Sequence, residues 1–131
     1  MAKTYVEIIP ISVKAPGGIS KEDIGSQIKS IFLDQIAASK DLTCKRPTDK
    51  NAKIFSLDID FVLAPSGTEF KGQMNLAMSY WPKKTIFGRA ANGGSASNAR
   101  EIPSLVEGIS EAILAKVLPQ LKTQIPKLAD V

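Results

Sequence analysis

The sequence predicts an α+β protein, a two-layer α/β sandwich in which both helices cover one face of a mixed sheet. Three observations lead to this fold class. The predicted elements follow the order β-α-β-β-β-α, one strand alternates cleanly between apolar and polar residues, and each helix carries a single apolar stripe. Placing both helices on the apolar face of the sheet satisfies all three and leaves the other face polar.

The first strand is predicted over residues 4–14, which are rich in β-branched side chains. Pro10 interrupts it, because proline has no amide proton for the ladder and indicates an edge position or a bulge. Ser20 followed by Asp23 resembles a capping box and predicts the start of the first helix, whose apolar residues recur at helical spacing as far as about Ser39.

A polar connector is predicted over residues 40–53, with a short extended piece around residues 42–44. The strongest strand follows, because every second residue is apolar. These apolar residues are Phe55, Leu57, Ile59, Phe61 and Leu63. Residues 64–69 predict a hairpin loop, and residues 70–81 its return strand.

The last third of the chain predicts one more strand and a helix. Residues 85–90 form the third strand of a meander, and the tract 92–98 either extends it or is a flexible loop. Ser104 is the predicted N-cap of the final helix, and Pro119 is expected to kink or end it.

Length and composition narrow the possible functions. The 131 residues with 44% hydrophobic content predict a single domain over residues 1–131, with an ordered core of about residues 4–124. The absence of His excludes His-dependent nucleophilic catalysis and His-containing zinc sites, and the single Cys44 excludes an intrachain disulfide. We therefore predict a protein that is not an enzyme and that uses no cofactor or metal.

Charge and hydropathy indicate which kinds of partner and which compartment are compatible with the sequence. The net charge of +4 is dispersed along the chain and aromatic residues are few, which argues against nucleic-acid binding. No segment approaches the ~20 apolar residues of a transmembrane helix. The N-terminus lacks the hydrophobic region of a signal peptide, which taken literally indicates a cytoplasmic protein.

The predicted partner-binding surface lies at the third strand. Trp81, Lys83, Lys84 and Arg89 form the one local cluster of cations with an aromatic ring, and the same residues are also typical of a solvated hairpin turn. The tract Asn92, Gly93, Gly94 and Ser95 permits close backbone approach. It nearly completes a phosphate-binding loop, but Gly94 occupies the position of the required lysine.

Asp58 and Asp60 form the alternative site. They lie two residues apart in one strand, so both carboxylates project from the same face of the sheet. Such a pair suits acid/base chemistry or ligand binding. The simpler interpretation is a soluble outer face on which the carboxylates pair with Lys71 across the hairpin.

The pattern resembles a group of small bacterial envelope domains. The segments VEIIPI, DIGSQIKSIFLDQI, KIFSLDIDF and MNLAMSY, followed by an amphipathic helix, are similar in order and hydropathy to curli-secretion-lipoprotein-like, penicillin-binding-protein-activator-like and TolB amino-terminal-like domains. The resemblance covers residues 4–124. It implies a non-catalytic, periplasmic or outer-membrane-tethered module that binds other proteins or assembles into rings.

We therefore expect a non-catalytic protein-binding or assembly module of the bacterial cell envelope. Its partner is another protein or a second copy, and it associates peripherally with a membrane if the native chain carries a lipid. The alternative is a small hydrolase or ligand-binding protein that uses Asp58 and Asp60.

Overall fold

A computed structural model of the protein describes residues 4–8, 11–45, 54–81 and 85–128. Six strands and two helices make up this part of the chain. They are β1 (Thr4–Ile8), β2 (Ser12–Lys14), α1 (Lys21–Ala37), β3 (Leu42–Thr43), β4 (Ile54–Ser66), β5 (Glu69–Trp81), β6 (Thr85–Ala96) and α2 (Ile102–Leu128). The predicted α+β class is confirmed.

The strands form one mixed sheet in the order β3-β1-β4-β5-β6, and β2 also pairs with β4. β1 and β2 run parallel to β4 and together are the predicted first strand. Ile8 is opposite Leu57 and Ser12 is opposite Asp60, so the register shifts by one residue between the two strands. Pro10, at which the sequence predicts an edge position or a bulge, lies outside the described residues.

The hairpin of β4 and β5 is the centre of the sheet. The predicted alternation in β4 is confirmed, because its five apolar residues of one parity are buried while Asp58 and Asp60 on the opposite face are exposed. Gly67 has a φ of +64° in the two-residue turn, a conformation that glycine adopts without steric cost. Lys71 is opposite Ala64, so the predicted pairing of Lys71 with the two aspartates is wrong.

The first helix begins where the sequence predicts. Ser20 is the N-cap of α1, and its hydroxyl accepts a hydrogen bond from the Asp23 amide. Ile24, Ile28, Phe32 and Ile36 are its buried stripe.

The second helix differs from the prediction at both ends. It follows a 3₁₀ turn (Ala99–Glu101) whose cap is Asn98, so Ser104 is not the N-cap. The helix continues through Pro119 and ends only at Leu128. It is exposed, whereas Val117 and Leu121 on either side of it are buried in the core, and this packing outweighs the lost hydrogen bond.

Both helices pack on the same face of the sheet and on each other, as predicted. One hydrophobic cluster joins their buried stripes to the apolar face of β4 and β5. A bulge in the β5–β6 register after Met78 brings Phe87 to this face, where its ring stacks on Tyr80 at 4.5 Å between centroids. The outer face of the sheet is mostly polar, although Val62 and Ile86 are exposed on it.

Candidate functional site

β6 is the longest strand at an edge of the sheet. Within the described residues it pairs with β5 on one side and with no strand on the other. The tract that was predicted as strand or loop is strand as far as Ala96. The sequence Gly88–Ser95 is thus extended backbone paired with β5, and does not form a phosphate-binding loop.

The hairpin turn determines which backbone groups of β6 face the open edge. The two-residue turn closes on Ser66 and Glu69, and such a closing pair exchanges its backbone hydrogen bonds. By alternation, even-numbered residues of β5 direct their backbone groups to β6. Because these pair with even-numbered residues of β6, such as Gly72 with Gly94, the odd-numbered residues of β6 present theirs to the edge. These residues are Arg89, Ala91, Gly93 and Ser95.

Two side chains already bind backbone groups in the middle of this edge. The Lys116 ammonium of α2 donates a hydrogen bond of 3.1 Å to the Ala91 carbonyl. The Asn92 side-chain oxygen accepts one of 2.8 Å from the Gly93 amide. Both contacts involve odd-numbered residues of β6, in agreement with the direction derived from the turn. Side chains of this kind occupy an edge that would otherwise pair with any available strand.

The inner face of β6 lies close beneath α2. A Cβ atom added at Gly94 would stand 2.9 Å from a methyl carbon of Leu105, and one added at Gly88 would stand 2.9 Å from the side-chain oxygen of Gln120, both in α2. These separations are shorter than ordinary van der Waals contact. The glycines of β6 therefore permit the helix to pack on the strand.

The predicted partner-binding residues do not converge on one point. Trp81 is half-buried at the end of β5 opposite Ile54, whereas Ser95 is opposite Lys71 near the other end of the sheet. Arg89, Gly93 and Ser95 are exposed on the outer face. Asn92 and Gly94 face the helices, and Lys83 and Lys84 lie outside the described residues. The predicted partner-binding residues that the structure describes are thus spread along β6, with Trp81 at the end of the neighbouring strand.

The structure brings Asp58 and Asp60 together with part of that set. They line an open depression of about 460 Å³ on the outer face of the sheet, with Asn75, Ile86 and Arg89 also in its wall. Asp58 and Arg89 are in one cross-strand row, separated by Ala77. Both carboxylates are exposed, so the depression presents charged groups to the solvent.

The opposite edge of the sheet is built differently. β2 is three residues long, and β3 covers β1 only at Thr4 and Tyr5. A groove of about 550 Å³ lies between this edge and α1, with Ile8, Ile11 and Val13 on its floor. Lys21, Glu22 and Lys29 line its rim. No motif in the sequence indicates this groove, because the strand and the helix that form it come together only in the folded chain.

Lys116 is a candidate functional residue that no sequence motif indicates. It is an exposed lysine of α2 that lies 25 residues from its backbone partner, and no short-range pattern predicts such a contact.

Cys44 is half-buried after β3, and burial raises the pKa of its thiol. The described residues contain no group of three or more acidic, Cys or His side chains that could hold a metal ion.

Comparison with known proteins shows that this chain is similar to solved structures in its fold and not in its sequence. No protein-family model and no curated protein sequence matches the chain. A Xanthomonas campestris protein of the DUF330 family model superposes with a TM-score of 0.59 at 8% identity, covering 94% of this chain and 89% of its own. A hypothetical protein of Chlamydia trachomatis gives 0.56 at 7% identity, covering 92% and 97%.

A third similar structure is described as an assembly. It is the PelC dodecamer from Paraburkholderia phytofirmans, with a TM-score of 0.57 at 12% identity over 86% of this chain and 85% of its own. Several bacterial proteins thus share this fold. Among the described residues, neither helix is long and apolar enough to span a membrane.

Proposed function

We propose that this chain is a non-catalytic assembly or protein-binding module of the bacterial cell envelope, and that its binding surface is the open edge of β6. The observation that carries the proposal is the character of that edge. It is twelve residues long, and Arg89 is its only charged residue. Main-chain groups at an exposed edge bind an added strand with little demand on side-chain chemistry.

Two further observations support the proposal. Proteins limit unwanted pairing with short edge strands, lysines and prolines, and the sequence of β6 contains neither lysine nor proline. A structure of the same fold, PelC, is described as a dodecamer. The envelope location follows the resemblance of the element order to envelope domains, as does peripheral membrane association of a lipidated form.

The proposal is tested by site-specific cross-linking in the bacterium that makes the protein. A photoreactive amino acid at Ser95 lies at the open edge of β6, and a matched one at Ser26 lies on α1 beside the other edge. We expect Ser95 to give a cross-linked product of higher mass and Ser26 to give none. Absence of any product from Ser95 in cells that contain the protein would contradict the proposal.

A ligand-binding function is the second candidate, because the depression on the outer face collects Asp58, Asp60, Asn75 and Arg89. A small molecule with both cationic and anionic groups fits these charges. Native mass spectrometry of the protein isolated from its host would show such a molecule bound, and Asp58→Asn with Asp60→Asn would abolish it. An unliganded mass in the natural protein would remove this candidate.

A further inference from the structure

We propose that the strand bound at the edge of β6 is β6 of a second copy of this chain, paired antiparallel about a two-fold axis at Asn92. The proposal rests on the proposed function, that the open edge of β6 is the binding surface. It adds the identity of the partner and the register of the pairing.

The backbone groups at the middle of the edge are complementary to each other. The Ala91 carbonyl is bound by Lys116, and the Gly93 amide is bound by the Asn92 side chain. A two-fold axis at Asn92 places Ala91 opposite the partner subunit's Gly93. The Ala91 carbonyl then accepts a hydrogen bond from the amide of the partner subunit's Gly93, and the symmetric bond forms on the other side of the axis. These two bonds replace the ones that Lys116 and Asn92 make in the single chain.

The length of pairing favours a second β6 over the opposite edge of another copy. With the axis at Asn92, residues 88–96 of the two strands are in register, whereas β2 offers three residues. Charge is compatible as well. Arg89 is opposite the partner subunit's Ser95, and the two guanidinium groups are about 20 Å apart along the ladder, so the charges of β6 do not face each other.

The side of α2 that borders the edge leaves room for a neighbouring chain. A shallow cavity of about 260 Å³ is lined by residues 92–95 of β6 and by Ser104, Leu105, Gly108 and Ile109 of α2. Apart from the neighbouring backbone of its own helix, no atom of the described residues lies within 4 Å of the position that a Cβ of Gly108 would take. Small side chains on both elements therefore let a second sheet and its helix approach from this side.

The two existing contacts also predict the strength of the association. Pairing replaces the bonds from Lys116 and Asn92 and does not simply add new ones, so the net gain at the centre is small. We therefore expect a dimer that forms reversibly and depends on protein concentration.

Disulfide trapping tests the register directly. In a Cys44→Ser background, Arg89→Cys combined with Ser95→Cys places two thiols opposite each other on both sides of the axis. Facing residues in an antiparallel ladder have Cα atoms about 5.5 Å apart, within the range that a disulfide spans. We expect the double variant to form a covalent dimer under mild oxidation. Each single variant should stay monomeric on a reducing-agent-free gel, because its thiols are about 20 Å apart.

A charge pair provides a second test that needs no oxidation. Ser95→Glu places a carboxylate opposite the partner subunit's Arg89, and Ser95→Lys places an ammonium there. Because each contact occurs twice, sedimentation equilibrium should show a dimer dissociation constant about fivefold lower for Ser95→Glu and about fivefold higher for Ser95→Lys. Both residues are exposed, and circular dichroism of each variant checks the fold.

Failure of this inference differs from failure of the proposed function. A chain that stays monomeric at millimolar concentration, or single variants that cross-link as well as the double variant, would overturn the second copy or its register. If the photoreactive residue at Ser95 still captures a different protein, the proposed function stands without the dimer. If it captures nothing, the proposed function itself fails.

Discussion

The two edges of the sheet differ in how their backbone groups are occupied. At one edge, the chain is divided into the short strands β1 and β2 with a register shift between them, and the two-residue β3 covers part of β1. At the other edge, β6 runs for twelve residues, and side chains occupy its central backbone groups.

The difference shows that an edge can be closed permanently or reversibly. A shift of register and a short strand are built into the chain, so the first edge cannot become a long ladder. Lys116 is a flexible side chain whose hydrogen bond a neighbouring strand can replace. β6 is therefore the edge at which association is expected, and four predictions test this contrast, from the largest expected effect to the smallest.

Proline at adjacent positions of β6 tests the direction of its backbone groups. Ala90→Pro removes an amide that is directed to β5 and should lower the free energy of unfolding by about 3 kcal/mol. Ala91→Pro removes an amide that faces the open edge and should cost about 1 kcal/mol. Urea denaturation of both variants measures the difference. Equal losses would contradict the derived direction.

Gly94→Val tests the close packing of α2 on β6. The added side chain meets Leu105 and Ile109, so we expect a loss of about 2 kcal/mol of stability. Gly108→Ala is the matched control, because its methyl group has open space on a helix and should stabilise by about 0.5 kcal/mol. Thermal unfolding of both gives the comparison, and a Gly94→Val variant as stable as the natural chain would refute it.

Removal of the Lys116 ammonium should open the edge. Lys116→Ala leaves the Ala91 carbonyl unbound in the single chain, so each dimer forms without breaking two hydrogen bonds. The dimer dissociation constant should fall about tenfold, since each bond is worth a factor of about three. Lys122→Ala, which removes the same charge from an exposed position of α2, is the control. A similar effect of both substitutions would indicate general charge repulsion.

Cys44 directly follows β3 at the first edge, and association through β6 is expected to leave the burial of its thiol unchanged. Burial raises the pKa of its thiol above the value in the unfolded chain. Iodoacetamide should therefore react more slowly with the folded protein than with the urea-unfolded chain at pH 8. The buried thiol stabilises the fold below its unfolded pKa, and this contribution is lost as pH rises through the folded pKa. Equal alkylation rates in both states would argue against a protected thiol.

The regular helices and strands were predictable because each is encoded by residues that are close together in the sequence. Alternation in β4 and the Ser20 cap of α1 each lie within a short window, and the structure has both. The start of α2 was also encoded, since Pro103 stands in its first turn and Asn98 caps the 3₁₀ turn that leads into it.

The remaining features depend on contacts between distant residues. Asn, Gly and Ser have little strand preference, so the length of β6 follows from its pairing with β5 and its packing beneath α2. The hydrogen bond from Lys116 to Ala91 and the depression that joins Asp58 to Arg89 exist only after the sheet has formed. The sequence therefore indicated the region of the candidate site but not its geometry.

Amide hydrogen exchange at two protein concentrations tests the contrast between the edges most directly. At micromolar concentration, the amides of Ala91 and Ser95 should exchange quickly, because they face the open edge. At millimolar concentration they should become protected, while those of Ser12–Lys14 stay unchanged. Protection that appears at Ser12–Lys14 instead, or at neither edge, would contradict the assignment of β6 as the interaction edge.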